Sequence, residues 1–101
     1  DLLSDTPVIS MNDVETSYYL RMQVIDKPGV MAEITRIVAE NDISISALIQ
    51  KEPDSDSDRV SIIMLTHLTV EKNINAAIAR IESLPVVTNK VIRIRIEELN
   101  N

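Results

Sequence analysis

Cysteine is absent from this sequence, which removes disulfides, thiolate nucleophiles and thiolate metal sites together. That absence fits a reducing compartment, and the expected location is cytoplasmic. Phe and Trp are absent too, and Tyr18 and Tyr19 are the only aromatics. The core must therefore be aliphatic. Glycine occurs once, at Gly29, so no phosphate-cradling or dinucleotide-binding glycine fingerprint is possible. Basic residues are outnumbered, ten Lys and Arg against sixteen Asp and Glu, for a net charge of −6 and a pI near 4.6. An acidic chain lacks the cations that neutralise phosphates, which argues against nucleic-acid binding and against anionic membrane surfaces. No apolar run approaches the ~20 residues of a membrane helix. The start, Asp1-Leu2-Leu3-Ser4-Asp5, lacks the basic region of a signal peptide and, beginning on Asp, reads as part of something longer.

What remains is 101 residues with 45% hydrophobic content, enough for one domain with one core. Residues 1–17 show no sustained period, and Pro7 interrupts any helix, so they read as an incoming linker. Tyr18 to Ile25 alternates, with Tyr18, Leu20, Met22 and Val24 on one face, as a half-buried strand does. Val30, Ile34, Ile37 and Val38 then fall at helical spacing, and Asn41-Asp42 ends that helix. Ile43, Ile45, Ala47 and Ile49 alternate with Ser44, Ser46, Leu48 and Gln50 as a second strand. Glu52 to Asp58 is an acidic, solvated loop. Val60 to Leu68 is a third strand, apolar on both faces in part, which suits a central position. Thr69 is placed as an N-cap for a helix carrying Ile74, Ala77, Ile78 and Ile81, which Ser83-Leu84-Pro85 stops. Val91 to Glu97 closes the chain as a strand, with Ile92, Ile94 and Ile96 expected inward and Arg93, Arg95 and Glu97 outward.

The order β-α-β-β-α-β predicts an α+β, ferredoxin-like sandwich: a four-stranded antiparallel sheet with two helices on one face. Right-handed crossovers put the first and third strands in the middle and the second and fourth at the edges. The second strand then offers an open edge on which another chain can pair.

Few residues carry chemistry. His67 is the only histidine, near a strand end, with no nucleophile motif around it. Asp54-x-Asp56-x-Asp58 resembles half of an EF-hand loop, but Arg59 stands where Gly is required and Leu65 where the bidentate Glu belongs. RNA-binding sheets stack bases on strand aromatics, and the third strand has none. No catalytic or metal residue is assigned. The turn Asp26-Lys27-Pro28-Gly29, between the first strand and the first helix, is the surviving candidate. Backbone N–H groups at that helix start attract a carboxylate, and Asp26 attracts an ammonium group, so an amino acid suits the pair. The plain alternative is a Pro-Gly connection with no ligand.

Asp26-Lys27-Pro28-Gly29-Val30-Met31-Ala32 in this element order resembles the ACT domain, a regulatory module that binds amino acids. Glu15-Thr16-Ser17-Tyr18-Tyr19-Leu20-Arg21, Ala32-Glu33-Ile34-Thr35-Arg36-Ile37, Ile49-Gln50-Lys51-Glu52, Leu65-Thr66-His67, Asn75-Ala76-Ala77-Ile78 and Val91-Ile92-Arg93-Ile94-Arg95 extend the likeness. Together they resemble the C-terminal ACT domains of bacterial homoserine dehydrogenases, with residues 18–99 as the domain. The resemblance implies a fragment with no catalytic residue and no cofactor of its own. Its parent would reduce aspartate semialdehyde with NAD(P)H in separate catalytic domains. Threonine is the implied effector, and a homodimer through the second-strand edge the implied assembly. Matched by position, the ligand contacts would be Asp26, Gly29, Val30 and Met31 of one chain and Ser44 of the other. A dimerisation module without a working site, or the ACT domain of another amino-acid-pathway enzyme, stands as the alternative.

Overall fold

The structure is a computed structural model that describes residues 15–52 and 58–96. The expected linker character of 1–14, most of the acidic loop, Glu97 and Leu99 lie outside the described residues. The elements are β1 (Glu15–Ile25), α1 (Val30–Glu40), β2 (Ile45–Lys51), β3 (Arg59–Thr66), β4 (Thr69–Val70), α2 (Glu71–Glu82) and β5 (Ile92–Ile96). All strand pairs are antiparallel, and β3 and β1 are central, with β2 beyond β3 and β5 beyond β1. This is the expected sandwich with one small strand added. β4 pairs with Glu15 and Thr16, which is why β1 starts three residues before the alternation at Tyr18 announces it.

Period two in β1 and 3.6 in the helices converge on one core. Leu20, Met22 and Val24 of β1, Ile62 and Met64 of β3, Ile34 and Val38 of α1, and Ile74 and Ile81 of α2 are all essentially inaccessible. Each such side chain contributes about 1.5–3 kcal/mol over its exposed state. On the outer side of the helix pair, Arg80 of α2 reaches Glu40 of α1 at 2.9 Å, and Arg36 meets the same carboxylate at 3.0 Å. These hydrogen bonds, that to Arg80 foremost, hold the Glu40 carboxyl below its ordinary pKa.

Three expectations are corrected. Thr69 is not the N-cap of α2: it is buried in β4, Val70 takes the cap position in extended conformation, and no side chain caps the helix. The second strand does not keep one period. A bulge between Ile45 and Ala47, with Ser46 Oγ donating to the Leu65 carbonyl at 3.3 Å, adds a residue on one side. Beyond a bulge the faces exchange. Ile43 and Ile45 pack on the core, whereas Ala47 and Ile49 lie opposite Leu65 and Ile63 on the face away from the helices. Gln50, expected on the outer face, lies opposite the buried Ile62, on the helix side.

The third correction concerns β5. Register places Arg95 opposite Tyr18 and Arg93 opposite Leu20, and directly opposed residues share a face. The arginines therefore face the helix layer, and Ile92, Ile94 and Ile96 face away. Ile92 and Ile94 are each 54% exposed. The physical reason is the start of α2, which presents polar groups to this edge. Glu71 accepts from Arg95, and Asn75 accepts from Arg93. The Glu71 hydrogen bond raises the pKa of the Arg95 guanidinium.

Candidate functional site

The β1–α1 turn is held from both sides. The Ile25 N–H donates to the Val86 carbonyl, and the Asp26 N–H to the Asp58 carbonyl, each at 2.8 Å. Residues 86–88, arriving from α2, continue along the edge of β1 that β5 leaves uncovered. Val24 bridges Val87, and the Thr88 N–H donates to the Gln23 carbonyl at 3.1 Å. The sequence signal for this brace is only Pro85, which frees the segment from helix.

Within the turn, Gly29 is the N-cap of α1 at φ +87° and ψ −10°, in the left-handed region. That region costs an L-residue roughly 1–2 kcal/mol, so the lone glycine is required by backbone conformation. A Cβ added there would meet no atom within 4 Å, so close packing is not the reason. Because glycine has no side chain, no side-chain oxygen caps α1. The Val30 N–H turns toward the Lys27 carbonyl at a long 3.3 Å. The helix start therefore lacks the side-chain acceptor that usually occupies its first-turn amides.

Beside this helix start lies a half-open cavity of about 70 Å³. Val24, Val30, Val60 and Ile62 supply its apolar wall, and Asp26, Lys27, Gly29, Met31 and Gln50 its rim. Asp26, Gly29, Val30 and Met31 are thus brought together on one hollow. Ser44 is not among its lining residues. It precedes β2 at the opposite end of the strand from Gln50, and its carbonyl accepts from the His67 N–H at 2.9 Å. Lys27 and Gln50 are additions to the residues matched from sequence. Lys27 stands in the turn itself, and its signal was a lone cation next to the start of α1. Gln50 was hidden by the bulge, which nothing in Ile45-Ser46-Ala47 announces.

Such a hollow presents complementary groups to one end of a small zwitterion. The helix start and Lys27 offer positive potential to a carboxylate, Asp26 offers a carboxylate to an ammonium, and the aliphatic wall offers room for a short side chain. Among the described residues no group of three His, Cys, Asp or Glu is placed to hold a metal ion, and no helix is long and apolar enough to cross a membrane.

The family model of the ACT domain matches residues 18–86, from Tyr18 through both helices to the brace beside the turn. The chain belongs to the ACT domain family. This ACT domain is 51% identical over 100 residues to a homoserine dehydrogenase of Methylobacillus glycogenes, covering 99% of this chain and 24% of that protein. A homoserine dehydrogenase of Pseudomonas aeruginosa is 43% identical over the same share of this chain and 23% of its own. Among solved structures, a homoserine dehydrogenase from Thiobacillus denitrificans superposes with a TM-score of 0.84 at 53% identity, over 95% of this chain and 21% of that one. The chain thus spans about a quarter of the relatives it matches, and the rest of their length has no counterpart here.

Proposed function

We propose that this ACT domain is the amino-acid-sensing part of a cytoplasmic homoserine dehydrogenase, with threonine as the effector that feeds back on the parent enzyme. The observation that carries the reading is the braced Asp26–Met31 turn, whose uncapped helix start and carboxylate converge on one hollow. Identity with homoserine dehydrogenases across nearly the whole chain supports the choice of parent. Reduction of aspartate semialdehyde with NAD(P)H belongs to the parent's other domains, since the single glycine here offers no dinucleotide-binding loop. Allosteric control then means that effector binding and catalytic state share a coupling free energy.

The hollow in one chain is small, well below the ~300–1,000 Å³ of an ordinary ligand pocket. A second copy completes it. Among the described residues β2 has β3 on one side and no strand on the other, and Leu48 lies partly exposed on its helix side. Antiparallel pairing of two β2 edges about a two-fold axis sets the start of one strand against the end of the other. Ser44 of the second copy then falls beside Gln50 and the Asp26 turn. The ligand is enclosed by two chains, and the effector stabilises the pair.

A thermal-shift series with the proteinogenic amino acids tests this. A ligand at 100 times its dissociation constant adds about 2.7 kcal/mol, and Asp26→Ala removes that shift. A confirmed dimer that responds to no amino acid refutes the reading. It would favour the rival, a dimerisation module without a ligand site, to which the small size of the single-chain hollow also points.

A further inference from the structure

The face of the sheet away from the helices is apolar, which the expected inward placement of the β5 isoleucines concealed. One row across it runs Ile49, Ile63, Arg21, Ile92, and the next runs Ala47, Leu65, Tyr19, Ile94, by the registers of four strands. Ile49 is 52% exposed and Ile92 and Ile94 are 54% exposed, far more than branched aliphatic side chains usually are. Isolated exposed apolar residues need no explanation, but a contiguous patch does. Four strands ~4.8 Å apart and five residues long at ~3.3 Å each make a face of about 300 Å².

Two observations choose the occupant. The first is charge. Although the chain carries a net −6, the outward residues of the rows from Ser17 to Gln23 include Arg21 and Lys51 and no Asp or Glu. Glu15, the exposed carboxylate of the same parity in β1, lies beside β4, six residues and about 20 Å along the strand from Arg21. A second copy stacked on the same face would desolvate cations against cations, which is costly without a carboxylate. The second is size. About 300 Å² per side falls short of the ~800 Å² that stable partners each bury. It suits a contact between tethered domains, where the linkage raises the effective concentration to the millimolar range. Three quarters of the matched relatives' length lies outside the region this chain aligns with, which is ample tethered chain.

We propose that this open face docks another part of the longer polypeptide, through an apolar surface bordered by Asp or Glu side chains that meet Arg21 and Lys51. The proposal is separate from the amino-acid site, which lies on the helix side of the sheet.

Hydroxyl-radical footprinting of the full-length protein tests it. Tyr19, Ile92 and Ile94 are expected to react at least tenfold more slowly than Leu68, which is 62% exposed in the β3–β4 connection. The protection should persist on dilution from 50 μM to 0.5 μM. Arg21→Glu, or Ile94→Asp, should restore reactivity, Arg21→Lys should not, and any thermal shift given by an amino acid should survive in all three. Reactivity in the wild type equal to that of Leu68 overturns the proposal. Protection that disappears on dilution also overturns it, because a second copy is then the occupant.

Discussion

Replacing Gly29 by alanine separates backbone conformation from packing at the turn. The left-handed conformation at φ +87° costs an L-residue about 1–2 kcal/mol. Alanine also restricts the unfolded chain, which returns about 0.4–1 kcal/mol. Since a Cβ meets nothing within 4 Å, no clash is added. The midpoints of the two leave a net loss of about 0.8 kcal/mol. For a domain of this size each kcal/mol moves the melting temperature by about 4–8 °C, so Gly29→Ala should melt roughly 3–6 °C lower. Gly29→Asn should lose less, because asparagine tolerates the left-handed region. Calorimetric melts of the three proteins at one concentration, with and without amino acid, are the assay. A loss above 3 kcal/mol for alanine would mean that the added methyl does collide. Equal stability of all three would mean that the turn relaxes to negative φ, and the account of why this chain keeps a glycine there would fail.

Ile34→Ala empties a fully buried position between α1 and the sheet and should destabilise by about 2–5 kcal/mol, read as a lower urea midpoint at unchanged slope. Thr16 Oγ1 is buried without a hydrogen-bond partner, so the near-isosteric Thr16→Val should be neutral or stabilising by up to about 1–2 kcal/mol; a clear loss in a thermal melt would show that the hydroxyl has a partner after all. The Glu40 carboxyl has a depressed pKa in the fold, from hydrogen bonds of Arg80 and Arg36. Its contribution is present above the unfolded carboxylate value and is lost as pH falls through the lower, folded value. Glu40→Gln should therefore lose stability at neutral pH and converge on the wild type in strong acid, with the difference shrinking in high salt.

The parts of the fold that were legible in the sequence are those where pattern and burial agree. Tyr18 to Val24 alternates, and its even-numbered side chains are buried; Val30 to Val38 repeats at helical spacing, and its stripe packs inward. What was not legible turned on parity. Ile92-Arg93-Ile94-Arg95-Ile96 reads equally well either way round, and only Glu71 and Asn75, which come near it through tertiary structure, decide that the arginines face the helices. The same holds for β2, where a bulge at Ser46 reverses an alternation that local pattern extends without a break. Of the site, the turn and its glycine were visible because Gly29 is unique in the chain. Gln50 was not, because its direction depends on that bulge.

The bulge makes the length of β2 a variable of its own. Removing Ser46 would close the bulge and leave every pair beyond it in place, because Ile45 opposite Thr66 and Ala47 opposite Leu65 would then follow one another as in a regular ladder. The strand therefore tolerates the loss of a residue there with Ile49 still outward and Gln50 still beside Asp26. A one-residue insertion after Ala47 has no such outlet and would exchange the faces of the residues that follow. The hollow beside Asp26 would lose its amide and the docking face one of its isoleucines, so one added codon would alter surfaces on opposite sides of the sheet at once.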